Sequence, residues 1–216
     1  RGKTEYTEPS LMRLAHIYIN AKDTTNAKRV LGQLEIHASN DTNKLFAQSN
    51  LMKMAYEDGD ISTAAKYAET LSKNTKIDQR IKADATAIGA RVAVKNNDEA
   101  TARKLYDQLN SIATGALKAE SLYYDAYFKH TDKKYEASNK VVEKVVKEYA
   151  AYKYYSAKSL VLLAKNFYQL KDSYQATYVL ENVITSAKDF PDVVSEAQTE
   201  LTKIKAEEAK RNSSVK

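Results

Sequence analysis

The stretch AKSLVLLAKNFYQLKDSYQATYVLENVI, Ala157 to Ile184, decides the fold. Its apolar residues recur three and four apart: Leu160, Leu163, Ala164 and Phe167 precede the polar QLKDSYQ, and Ala176 and Leu180 follow it. That spacing puts one apolar stripe on each of two helices joined by a short charged turn. A small residue, Ala176, stands near the start of the second helix, where it lets the two backbones approach as they cross.

Working outward, the same arrangement recurs. Aligned on the small residue, the chain repeats at Ala27, Ala64, Ala102, Ala137 and Ala176, with separations of 37, 38, 35 and 39. The preceding turns read NAKDTTN, EDGDIST, KNNDEAT, KHTDKKYE and QLKDSYQ. Periods of this length mark a stacked array, in which no unit buries its own stripe and neighbours cover one another. Composition agrees: five glycines and two prolines in 216 residues are too few for a turn-rich β fold.

In the fifth repeat Leu160, Leu163-Ala164, Phe167, Ala176 and Leu180 are followed by Pro191. The first repeat carries Leu11, Leu14-Ala15, Tyr18, Ala27 and Leu31. On these residues the chain resembles the tetratricopeptide repeat family. The middle repeats keep less of the pattern: Leu51-Met52, Ala55, Ala64 and Ala68; Gly89-Ala90, Ala93, Ala102 and Tyr106; and Phe128, Ala137 and Val141, with Tyr124-Asp125 at the Leu-small position. The resemblance implies an all-α fold, a right-handed superhelical solenoid of about five antiparallel helix pairs. The repeats are expected at about 8–42, 45–78, 83–115, 118–150 and 153–190, in one domain over 1–212. The segment 191–212 reads as a capping helix, with Val194, Ala197, Leu201 and Ile204 on one face, and 213–216 as a frayed tail.

The ten residues YAAYKYYSAK, Tyr149 to Lys158, invite a second reading as an aromatic and basic strip for nucleic acid. They fall instead at the junction of repeats four and five, where tyrosine rings pack between helices while their hydroxyls find polar partners. Lys plus Arg exceed Asp plus Glu by 34 to 28, spread evenly along the chain, so the surplus describes a solvated surface with a mild preference for anions.

Catalytic signatures are missing. The chain has no cysteine, hence no thiolate metal site or Cys nucleophile, and too few glycines for a phosphate-cradling loop or a nucleophile elbow. His16, His37 and His130 lack the i+3 or i+4 partners of a helical metal pair. Asp58 and Asp60 sit in a turn, where capping explains them. The expectation is a non-enzyme needing no cofactor.

The first helix of each repeat lines the inner surface in the resembled family. Projected here, that face carries His16, Lys53, Tyr56, Arg91, Lys95, Lys129, Lys165 and Tyr168, with Ile19 among them and Asn20 and Gln169 at its edge. Long cations and tyrosines suit a protein or peptide segment of acidic character. Met12 and His16 stand where the carboxylate clamp of chaperone-binding members has Lys and Asn, so that specificity is not carried over. The resemblance implies a protein-interaction scaffold. The alternative is a helical-repeat RNA-binding protein, but these faces show no recurring polar code.

The fifth repeat is also similar to repeats of bacterial envelope proteins that assist outer-membrane assembly or division. With the absence of cysteine, this gives the periplasm or cell envelope as the expected setting and the cytoplasm as the alternative. The longest apolar run, Leu160 to Ala164, is far below the roughly 20 residues of a membrane-spanning helix. The chain begins at Arg1, which agrees with a processed or excised piece preceded by further repeats.

Overall fold

The computed structural model describes residues 7–213, and every regular element among them is an α-helix. Five helix pairs follow in order: α1 (Thr7–Asn20) and α2 (Thr24–His37); α3 (Asp41–Glu57) and α4 (Ile61–Ser72); α5 (Gln79–Lys95) and α6 (Glu99–Ile112); α7 (Gly115–Thr131) and α8 (Tyr135–Glu148); α9 (Lys153–Gln169) and α10 (Ser173–Ser186). A single helix, α11 (Pro191–Ser213), closes the series. Positions 214–216 of the expected tail lie outside the described residues.

The turn inside each pair is built by one device. The first helix ends in a Schellman motif: one residue takes a left-handed φ, and its N–H and that of its successor bond back to the carbonyls of the last helical turn. The left-handed residues are Lys22, Gly59, Asn97, Lys133 and Lys171, with φ of 57°, 80°, 56°, 60° and 69°. In the first turn Lys22 N donates to Ile19 O and Asp23 N to Tyr18 O, at 3.1 and 3.0 Å, and the other four repeat the pattern. The next residue starts the second helix. Asp23, Asp60, Asp98 and Asp172 each accept, at 3.0 to 3.1 Å, from the backbone N–H three residues on. Position 134 breaks the series, since Lys134 makes no side-chain cap.

These turns correct the register of the fourth repeat. The left-handed positions are spaced 37, 38, 36 and 38, which moves the small crossing residue from Ala137 to Ser138. Ser138 is fully buried and donates from Oγ to the Ala126 carbonyl at 2.8 Å, whereas Ala137 is half-buried. The Leu-small pair accordingly falls on Asp125-Ala126 rather than Tyr124-Asp125, and Val142 rather than Val141 lies fully buried. A hydroxyl replaces the methyl group at the crossing because the facing carbonyl is there to accept it.

Two compact units meet in sequence between Ile112 and Ala113. In the first, Ala27, Val30, Leu31 and Leu34 of α2 pack with Leu11 and Ala15 of α1 and Ala47 and Met54 of α3. Met52, Ala64, Ala68, Leu71, Ala85, Ile88 and Val92 continue the core through α3, α4 and α5. Each fully buried leucine here contributes about 1.5 to 3 kcal/mol relative to exposure. A polar latch ties α1 to the α2–α3 junction: Glu8 accepts from Ser39 N at 2.9 Å, Ser39 Oγ at 2.5 Å and Asn43 Nδ2 at 2.7 Å.

In the second unit, Val161, Ala164, Ala176, Leu180 and Val183 pack with Val193, Ala197, Leu201 and Ile204 of α11. The tyrosine-rich junction is a packed seam. Tyr155 lies 5.9 Å from the Tyr123 ring, and Tyr154 meets Phe190 edge-on at 5.5 Å while donating its hydroxyl to Asp192 at 2.8 Å. Tyr149 and Tyr152 sit in the α8–α9 link 6.4 Å apart, with Tyr152 exposed.

Candidate partner-binding faces

In the first unit the first helices are α1, α3 and α5, and α3 packs directly beside α5. Tyr56 ends α3, and two cations one helical turn apart on α5 reach its ring: Arg91 Cζ at 5.8 Å and Lys95 Nζ at 5.0 Å from the centroid. The i, i+4 spacing of Arg91 and Lys95 puts both on one side of α5. Half a turn earlier on α3, Lys53 pairs with Asp84 of α5 at 2.5 Å. His16 lies on α1 with its ring 4.8 Å from that of Phe46 on α3. The structure therefore brings Lys53, Tyr56, Arg91 and Lys95 together, with His16 at the α1–α3 contact.

The second unit treats its three predicted residues differently. Lys129 pairs with Asp125 on its own helix. Lys165 of α9 lies between two carboxylates of α11, at 2.6 Å from Glu196 and 3.6 Å from Glu200. Tyr168 donates to Glu207 of α11 at 2.6 Å, a bond that holds its phenol up at about 12. Thus α11 covers the side of α9 that carries Lys165 and Tyr168, with a carboxylate for each.

The charge of these faces is consequently lower than the count of lysines implies. Lys53, Lys129 and Lys165 are each matched within the chain. Those carboxylates sit on the neighbouring first helix or one turn away, and the resemblance drew attention only to the cations. Lys158, which the projection omitted, sits over the Tyr123 and Tyr154 rings at 5.2 and 5.8 Å. Its place in the quoted tyrosine stretch was the available signal.

Among the described residues no three His, Asp or Glu side chains are grouped to hold a metal ion, and no helix is long and apolar enough to cross a membrane.

Helix pairs stacked in chain order, each first helix resting on the second helix of the pair before it within its unit, define the class as an α-helical repeat of the solenoid type. The fold is that of tetratricopeptide repeat proteins. The chain is similar to the crystal structure of a tetratricopeptide repeat protein from Parabacteroides merdae ATCC 43184, with a TM-score of 0.70 and 14% sequence identity, over 95% of this chain and 76% of that one. No family model matches the sequence, and no curated protein matches it.

Proposed function

We propose that the chain is a non-catalytic protein-interaction scaffold that receives a partner segment on its first-helix faces. In the first unit the anchor is the group of Tyr56, Arg91 and Lys95, with Lys53 and His16 beside it. Lys129, Lys165 and Tyr168 form a second surface in the other unit. The observation that carries this reading is the stacking of two cations of α5 on the Tyr56 ring. That stacking holds flexible cations in place before a partner arrives, which lowers the ordering cost of binding.

Acidic groups of a partner are read chiefly at Arg91 and Lys95. At Lys53, Lys129 and Lys165 they would have to displace Asp84, Asp125, Glu196 or Glu200. The process we assign is assembly in a bacterial cell envelope, supported by the character of the fifth repeat and by the absence of cysteine.

The test is capture from native cells after cross-linking, comparing the natural chain with Arg91→Glu/Lys95→Glu. Lys165→Glu is avoided, because it would oppose Glu196 and Glu200 and loosen α11. Envelope proteins retained by the natural chain and lost from a folded variant support the reading. Equal capture by both moves the site elsewhere. Recovery of RNA alone, removed by salt, would replace the reading with the RNA-binding alternative.

A further inference from the structure

The bare side of α1 breaks a pattern that holds at the other first helices. Counting from the left-handed turn residue, Ile17 of α1 corresponds to Met54 of α3, Val92 of α5 and Asn166 of α9. Met54 and Val92 are 9% and 7% exposed and Asn166 is fully buried, while Ile17 is 52% exposed. In each buried case the cover is the preceding second helix. Met54 packs with Val30 and Leu34 of α2, Val92 with Ala68 and Leu71 of α4, and Asn166 donates to Ser138 and Asn139 of α8. One turn earlier the same holds: Leu51 and Leu163 are half-buried against the α2 and α8 clusters, but their counterpart Leu14 is 40% exposed. Among the described residues no helix covers Leu14 and Ile17.

We propose that this face of α1 is a docking site for an amphipathic helix of a partner, one that supplies what α2, α4 and α8 supply inside the chain. The interface is already drawn three times in the molecule, so the occupant's chemistry follows from it. It carries a stripe of Ala, Val or Leu at i, i+4 and i+7 or i+8, as Ala27, Val30-Leu31 and Leu34 do on α2. It also carries an acidic residue beside the stripe, because Arg13 is exposed on the same side of α1 as Leu14 and Ile17.

A second copy of this chain is the poorer occupant. The exposed side of α11 presents Ser195, Gln198, Thr199 and Thr202 and offers no apolar stripe. Two α1 helices laid together would set one Arg13 against another. Leu14 and Ile17 lie apart from the cations on Tyr56, so the site stands whether or not the scaffold reading above holds.

The probe is a synthetic peptide of residues 134–149, the α8 helix with its Val142 and Val145 stripe and its glutamates, cross-braced on its solvent side because a short isolated helix is marginal. It is titrated into the isotope-labelled full chain and followed by amide chemical shifts. The expected result is saturable shifts confined to α1, with a dissociation constant of about 100 μM or tighter. Leu14→Lys/Ile17→Lys should weaken that by at least about tenfold, while Arg91→Glu/Lys95→Glu should leave it unchanged. Both altered residues in the first variant are already exposed, so its helical signal should stay intact. No shifts up to about 1 mM peptide, or shifts elsewhere that survive the double variant, overturn the proposal. So does a concentration-dependent dimer abolished by Leu14→Lys/Ile17→Lys, which would assign the face to a second copy.

Discussion

Lys133 and Lys134 show how much one turn residue decides. Lys133 adopts a left-handed φ that glycine would take freely, at a cost of about 1 kcal/mol, and Lys134 stands where four other turns have a capping aspartate. Lys133→Gly/Lys134→Asp should therefore stabilise the chain by about 1 to 2 kcal/mol, the cap accounting for about half. A denaturant titration reads this as a higher midpoint, and an unmoved midpoint would mean the fourth turn is not built like its neighbours. Glu8 acts through its hydrogen bonds. Ser39 and Asn43 hold its carboxyl down at about 2, below the ordinary glutamate value of about 4.3. The sign follows: a carboxylate preferred by the folded state stabilises above the ordinary value, and that contribution drains away as the pH falls from about 4.5 toward 2. Unfolding midpoints measured across that range should fall less steeply in Glu8→Gln. Parallel curves for the two proteins would remove the latch from the account.

At the level of the helix, Asn166 is the polar exception in the α9 core. It is fully buried, its amide nitrogen donates to Ser138 Oγ at 2.8 Å and Asn139 Oδ1 at 2.7 Å, and its oxygen faces His130 Nδ1 at 2.6 Å. One side chain thus ties α7, α8 and α9 together. Asn166→Ala strips partners from three polar groups and leaves a small void, which should cost about 1 to 3 kcal/mol in the same titration. Ala176→Leu at the α9–α10 crossing should cost about 1 to 3 kcal/mol by overpacking a site with no exposure. The helix pairs themselves were legible, because the Leu160, Leu163-Ala164 and Phe167 spacing is a property of neighbours in sequence. The Asn166 network was not legible: its partners lie 27, 28 and 36 residues away, and a lone asparagine in a helix reads as a surface residue. Ser138 was missed for a related reason, since alanine one position earlier satisfied the pattern and only the turn geometry separates the two.

For the molecule as a whole, the order of helices followed from periodicity, and the seam role of Tyr154 and Tyr155 from their place between repeats. The electrostatics of the faces did not. Lys53 meets Asp84 and Lys165 meets Glu196 across 31 residues each, a distance set by the repeat rather than by any local motif. These partly exposed pairs add little stability individually, about 0 to 1 kcal/mol, but they decide which cations a partner can reach. Arg91 and Lys95 on Tyr56 are where the scaffold reading is most exposed to test. A photo-activated cross-linking residue placed at position 95 on α5, and as a control at the exposed position 104 on α6, would be activated in native cells. The account predicts a discrete protein adduct from position 95 that disappears with Arg91→Glu and is absent from position 104. Indistinguishable adducts at the two positions, or RNA as the sole adduct, would contradict it.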